Sequence, residues 1–205
     1  MNVLLFDLDE TLYPRSLGVV PRVDLRINRY LEERVGIVAA EVDALRRRYW
    51  AEFGTTLSGL IAHHAIDPDD YLEFIHDIEI EDLLVPDEAL FALLSALPGR
   101  KAVLTNASRR HAGRVLERLG VAPAFEAVIA LEDLEYVAKP ASGAFERALA
   151  RLAARAAGST LIDDNVRNVA AAKKLGFRTV WVGEGTTEGA DHVVGTVGEL
   201  ARILG

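Results

Sequence analysis

The strongest constraint on this chain is a rhythm of two alternating residue patterns. Short apolar runs rich in β-formers occur at Asn2–Phe6, Lys101–Leu104, Ala127–Ala130, Ser159–Ile162 and Arg178–Val182. Between the later ones lie segments with apolar residues at helical spacing. Asp87–Leu97 aligns Leu90, Leu93, Leu94 and Leu97. Arg109–Leu119 aligns Val115, Leu116 and Leu119 and stops before Gly120. Ser142–Ala156 aligns Phe145, Leu149 and Leu152, and Val166–Leu175 ends before Gly176. Glycine just past a helical run is a common helix stop. Strands separated by helices of 10–15 residues predict a mainly parallel sheet covered on both faces, with His192–Val194 as a possible edge strand.

The stretch from about Arg15 to Leu84 breaks this rhythm. It offers helical segments near Val23–Arg34, Ala39–Glu52 and Asp69–Ile78, but no central strand. Asp67-Pro68-Asp69-Asp70 is a good helix start, with Asp67 as N-cap, Pro68 at the first position and Asp70 reaching back. Pro14, Pro21 and Pro86 mark connections on either side. The expected organisation is a core of residues 1–14 and 85–205 with a helical module of residues 15–84 inserted after the first strand.

Composition narrows the classes of function. The 205 residues are 50% hydrophobic and 26% charged, an ordinary balance for a soluble globular protein. A net charge of -8 and the absence of a long basic tract argue against a nucleic-acid polymer as partner. No apolar run reaches membrane-spanning length, and Asp7 and Asp9 interrupt the apolar start, so neither a membrane partner nor a signal peptide is expected. With no cysteines there is no disulfide or thiolate chemistry, and a cytoplasmic location is the expectation. The five histidines include no HxxxH or HxH pair suited to zinc.

Four short elements carry the chemistry. Asp7 and Asp9 follow the first apolar run directly, where open α/β sheets put their chemistry. Two residues apart, they can face one side while Leu8 enters the core. Asp7 can act as a nucleophile and Asp9 as an acid and then a base, although a DxD pair is also a common solvent-facing loop or simple metal site. Thr105-Asn106 follows the run ending at Leu104 and can hold phosphoryl oxygens, or serve only as a turn before a helix capped at Ser108. Lys139-Pro140 is the third. Pro140 can open the next helix and leave Lys139 facing the site, where it would neutralise developing charge; a lone lysine is otherwise a solvated surface group. Asp163-Asp164-Asn165 follows the run ending at Ile162. Adjacent carboxylates there call for a cation or hydrogen bonds, and oxygen donors of this kind suit Mg2+. Either one can instead cap the following helix. Asn168, one turn on, can orient Asp164 or ligate water.

Phe6-Asp7-Leu8-Asp9-Glu10-Thr11-Leu12, Leu104-Thr105-Asn106, Lys139-Pro140 and Ile162-Asp163-Asp164-Asn165, in that order, resemble the haloacid-dehalogenase-like (HAD) hydrolase superfamily over nearly the whole chain. The resemblance implies a Rossmannoid three-layer α/β sandwich with a C1-type helical cap. It implies that Asp7 is the nucleophile and a magnesium ligand. Asp9 would be the general acid/base and would offer its backbone carbonyl to the metal. Thr105 would bind phosphate, and Lys139 would stabilise Asp7 and phosphate. Asp164 would be the principal further ligand with Asp163 close behind, and Thr11 and Asn106 would shape the phosphate loop. An aspartate at position 9 resembles the phosphate-transferring members rather than the dehalogenases.

A narrower resemblance, to the pyrimidine 5′-nucleotidase branch, rests on Asp9-Glu10-Thr11-Leu12-Tyr13-Pro14, Phe53-Gly54-Thr55-Thr56-Leu57-Ser58-Gly59-Leu60, His76-Asp77-Ile78 and Leu104-Thr105-Asn106-Ala107-Ser108. Glu10 departs from the Asn often found there. The branch implies Mg2+-dependent hydrolysis of a nucleoside 5′-monophosphate such as UMP or CMP. Alternatives are a sugar-phosphate or phosphoglycolate phosphatase, a mutase, and a metal-binding regulatory protein without turnover. Gly54 and Gly59 can bracket a turn with Thr55 or Thr56 capping a helix. Tyr49, Trp50 and Phe53 can offer a stacking surface, at a spacing that ordinary helix packing also uses.

Overall fold

A computed structural model describes residues 3–204, so position 2 of the first predicted strand lies outside the described residues. The apolar runs form β1 (Val3–Phe6), β2 (Arg100–Leu104), β3 (Ala127–Ile129), β4 (Thr160–Asp163), β5 (Arg178–Val182) and β6 (His192–Val194). They make one six-stranded sheet in the order β3-β2-β1-β4-β5-β6, parallel throughout. The chain builds outward from β1 on one side, then returns to build on the other. The crevice at the C-terminal ends of β1 and its neighbours is therefore the topological switch point, where α/β sheets bind ligands.

Full burial on two faces explains why the central β1 and β4 show no polar alternation. Leu4 and Phe6 join one core with Leu94, Val115, Leu116 and Ile162, while Val3 and Leu5 join the other with Leu104, Phe145, Ala148 and Leu161. Helices α5 (Glu88–Ala96) and α6 (Arg109–Leu119) cover the first face, and α7 (Ser142–Arg151) and α8 (Val166–Lys174) cover the second. A short α9 (Ala201–Leu204) ends the described chain. Each fully buried aliphatic or phenyl side chain contributes about 1.5–3 kcal/mol, so β1, with all four residues buried, anchors both layers. Helix α7 is shorter than its pattern suggested: the backbone turns at Ala153 (φ 47°), just after buried Leu152.

Between β1 and α5 stands a helical cap, formed by α1 (Val19–Tyr30), α2 (Ala39–Phe53), α3 (Thr56–His63) and α4 (Pro68–His76). Tyr30, Tyr49, Leu60, Tyr71 and Ile75 make its own apolar centre, joined by Leu131 and Ala138 from the core. Asp67 caps α4 through the Asp69 N–H as its sequence predicts, but Asp70 accepts from the Tyr30 hydroxyl instead of reaching back. Arg167 donates to the Trp50 carbonyl at 2.6 Å and lies over its ring, tying α8 to the cap.

The Gly54–Gly59 segment differs from expectation. Thr55 does cap a helix, accepting from the Ser58 N–H, but Gly59 lies inside α3 rather than closing a turn. Packing dictates the glycine there, because a Cβ would sit 2.2 Å from Cγ of buried Tyr49. Overpacking of this kind costs about 1–3 kcal/mol. Gly59→Ala is expected to lower the melting temperature by roughly 3–10 °C for a chain of this size. A thermal melt identical to the parent would contradict this packing.

Candidate active site

Three strand ends deliver the predicted residues to one place. β1 runs directly into Asp7, whose N–H donates to the Ile162 carbonyl of β4 at 2.8 Å and so extends the sheet by one bond. Leu8 is fully buried, as the DxD reading requires, and Asp7 and Asp9 both line a cavity between core and cap. Thr105 follows β2, and its N–H donates to the Ile129 carbonyl. Asp163 is the last residue of β4.

Lys139 joins these ends. Its ammonium is fully buried and donates to Asp7 Oδ1 at 2.8 Å, Asp163 Oδ2 at 2.7 Å and the Leu104 carbonyl at 2.7 Å. All three donors of the lysine are used. Burial alone would lower its pKa, but Asp163 and Asp7 outweigh burial and hold it above the ordinary lysine range. Asn106 clamps the lysine's backbone, donating to its carbonyl at 2.9 Å and accepting from its N–H at 2.8 Å. Pro140 does not open α7, which starts at Ser142 after an extended Ala141; Pro140 instead packs close to Gly54 of the cap.

The two carboxylates after Ile162 separate in role. Asp163 has no exposure, and both its oxygens are engaged by Lys139, the Asn165 N–H and the Asn168 amide. Asn168 thus orients Asp163, not Asp164 as the sequence suggested. Neither aspartate caps α8, because Asn165 does so through the Arg167 N–H. Asp164 lines the cavity and has a hydroxyl partner in Thr11, which donates to its carboxylate at 3.3 Å and accepts its N–H at 3.0 Å. Thr11 therefore acts on Asp164 rather than on the Thr105 loop. The Thr105 hydroxyl is buried, accepts the Ala107 N–H and lines the cavity, leaving its proton for a ligand.

Carboxylate oxygens of Asp7, Asp163 and Asp164 lie within 4.8 Å of one another. Burial raises all three, Asp7 to about 7 and Asp163 and Asp164 to about 6. Hard oxygen donors, clustered and short of positive charge, fit Mg2+. Asp7 and Asp164, which face the cavity, can ligate it, and Asp163 stands behind them.

Tyr13 and His76 stand in the branch-like segments without an assigned role, and His111 and Asp24 have no signal in the sequence. Tyr13 and His111 both bond Asp9, and His76 of α4 stacks on His111 at 4.4 Å. Asp24 of α1 faces the cavity while paired with Arg46 of α2. Thr55, Thr56 and Leu57 also line it, but Tyr49, Trp50 and Phe53 do not: Tyr49 is packed inside the cap.

The raised carboxylates set a pH dependence. A folded-state pKa above its unfolded value means that the folded protein binds protons more tightly, so stability falls as pH rises through about 6 to 7. Without metal, the protein is expected to melt higher at pH 5.5 than at pH 8. Saturating Mg2+ should raise the melting temperature by about 5–10 °C at pH 8 and by less than half of that at pH 5.5, where protons compete. Thermal melts with Mg2+ or EDTA at both pH values check this, and equal shifts would refute it.

Comparison with known proteins agrees with this geometry. The profile of haloacid dehalogenase-like hydrolases matches residues 1–176. Phosphate metabolism protein 8 of Saccharomyces cerevisiae is 30% identical over 191 residues, covering 86% of this chain; the match spans only 60% of that relative's length. Pyrophosphatase PpaX of Halalkalibacterium halodurans is 27% identical over 202 residues, covering 94% of this chain and 88% of the relative. The magnesium-bound HAD-hydrolase YfnB of Bacillus subtilis shares the fold with a TM-score of 0.62 at 19% identity, covering 99% of this chain and 98% of its own. The chain belongs to the haloacid dehalogenase-like hydrolase family.

Proposed function

We propose that this protein is a Mg2+-dependent phosphomonoesterase acting through an aspartyl-phosphate at Asp7, with a nucleoside 5′-monophosphate, pyrimidine above purine, as its substrate. The observation that carries the reaction class is the buried contact of Lys139 with Asp7, beside Asp9 and the open face of Asp164. A carboxylate oxygen of Asp7 attacks phosphorus as the ester P–O bond breaks. Asp9 gives its proton to the departing oxygen, then takes one from the water that attacks the aspartyl-phosphate, releasing phosphate and restoring Asp7. Lys139 and the Thr105 hydroxyl offset charge on the phosphoryl oxygens, and bound Mg2+ would add Lewis-acid stabilisation of that charge.

Asp9 rests in its base form, and substrate binding shifts it toward the acid form. Burial acts to raise its pKa, but the His111 ring, then the hydrogen bonds from His111 and Tyr13, outweigh it and hold the carboxyl below the ordinary range. An incoming phosphate dianion adds like charge beside it and so favours the protonated form needed for leaving-group departure.

The cavity supports the substrate class. It encloses about 270 Å3, close to the lower end of small-molecule sites. Val20, Val23, Ile27, Leu72 and Ile75 give its cap side an apolar surface suited to a base, and Asp24 offers an acceptor for a hydroxyl or amino group. Lys139 is the single lysine or arginine among its lining residues, and its donors are engaged. A second anion on the substrate finds no free cation here, which favours a nucleotide monoester over phosphoglycolate or pyrophosphate. The cap segments resembling pyrimidine 5′-nucleotidases point the same way.

A panel of UMP, CMP, AMP, sugar phosphates, phosphoglycolate and pyrophosphate, read as phosphate released with Mg2+, tests the substrate. Rapid turnover of phosphoglycolate beside inert nucleotides would reject the nucleotide reading, and no release from any compound would reject hydrolysis. Asp7→Asn is expected to cut turnover by at least about 10³-fold while the protein stays folded. Undiminished activity in that variant would sink the mechanism.

A further inference from the structure

Asp9 is held asymmetrically. Its Oδ1 accepts the Tyr13 hydroxyl at 2.5 Å and meets His111 Nε2 at 3.0 Å. Among the described residues nothing bonds Oδ2, and the carboxylate reaches the cavity with about a quarter of its side chain exposed. Tyr13 is buried, and burial together with Asp9 pushes its hydroxyl pKa far up, so it remains a donor. An ionised carboxylate is an acceptor only, so His111 Nε2 carries the hydrogen in this contact.

Among the described residues, nothing else bonds the ring nitrogens of His111. The ring has no exposure, and its Nδ1 is buried without a partner. Its position is fixed at both ends. Ser108 Oγ accepts the His111 N–H at the first turn of α6, and His76 lies flat against the ring at 25°. His76 is itself pinned, its Nδ1–H donating to the Leu72 carbonyl, and burial followed by His111 depresses its pKa to about 3, leaving it uncharged. A buried imidazole with an unsatisfied nitrogen is costly, and the one hydrogen bond its ring makes is to Asp9.

We propose that Tyr13 and His111 are positioning residues that saturate Oδ1 of Asp9 and so dedicate Oδ2 to proton transfer with the leaving oxygen. This rests on the acid/base reading of Asp9. Two donors on one oxygen also restrain the carboxyl's rotation, which holds the working atom at one point in the cavity. His76 closes the assembly from the cap side, so the docked cap and the aligned carboxyl go together.

The test compares two leaving groups. Nitrophenolate departs without a proton, whereas the alkoxide of a nucleotide or sugar phosphate needs one. kcat/KM covers only the steps through leaving-group departure, so later hydrolysis of the aspartyl-phosphate does not enter. Tyr13→Phe keeps the ring and its packing, and is expected to lower kcat/KM about 10- to 100-fold for the best alkyl monoester of the panel, but within about threefold for p-nitrophenyl phosphate. His111→Leu should show the same bias, and His111→Gln, which restores an N–H near the Nε2 position, should recover part of the alkyl activity. Equal losses on both substrates would mark a merely structural role and overturn the proposal, as would no loss in Tyr13→Phe. Asp9→Asn run alongside separates the causes. If it lacks the leaving-group bias, the acid/base reading falls and takes this inference with it. If it has the bias and Tyr13→Phe does not, this inference alone is wrong.

Discussion

The site depends on one buried ammonium group. Lys139 draws Asp7 from the end of β1 and Asp163 from the end of β4 toward one nitrogen, and takes the Leu104 carbonyl of β2 as its third acceptor. Three neighbouring strands are thereby tied at their C-terminal ends by a side chain from outside the sheet. Removing one partner from a buried ion group costs about 3–5 kcal/mol, because the remaining charges stay in low dielectric. Here two carboxylates would be left. The surroundings prevent the lysine from straying: Asn106 clamps its backbone on both sides, and Asn168 braces Asp163 from behind. Stability and the placement of Asp7 thus rest on the same contacts.

Much of this was legible in the sequence because parallel strands advertise themselves. β1 and β4 are buried on both faces, so their centres read as short apolar stretches, and the first carboxylate after each stretch falls at the crevice. Asp7, Thr105 and Asp163-Asp164 were visible for that reason. Lys139 has no such flag. It lies in a loop, and its role rests on the Pro140 that follows it and on the resemblance of its motif. Pairings set by tertiary packing were legible least. Asn168 was read with Asp164, its cavity-facing neighbour, whereas the helix geometry of α8 points its amide at Asp163. Thr11 was assigned to the phosphate loop, but it bonds Asp164 across 153 positions of chain. His111 lies 102 positions from Asp9 in an ordinary amphipathic helix, where nothing local distinguishes it from a core residue.

The cap resisted sequence reading for a different reason. Its helices pack mainly on each other, and their apolar positions also serve as the roof of the cavity. Ile75 and Leu72 belong to the cap's own apolar centre and also line the cavity, so one pattern carries two roles. Tyr49 illustrates the converse. Its aromatic ring suggested base stacking, yet it fills the gap above Gly59 and donates or accepts at His64 on the far side of the helix. An amphipathic pattern reports which side of a helix is dry, and does not say whether the dryness comes from protein or ligand.

Helix α6 links the two parts. Its N-terminal turn holds His111 against Asp9, while Arg114 donates to the carbonyls of His76 and Ile78, and Arg118 to those of Glu81 and Leu84. The chain leaving the cap is therefore gripped by the helix that holds His111 against Asp9. Charged donors on backbone carbonyls are stronger than neutral ones, and four of them in sequence leave this return segment little freedom. Any movement of α4 relative to the core must disturb either that grip or the His76–His111 stack. Among the described residues, the entry side of the cap has no comparable clamp on Asp9 beyond Tyr13, which sits only four residues downstream of it. Cap position and the contacts of Asp9 are thus linked through the returning segment of chain more than through the outgoing one.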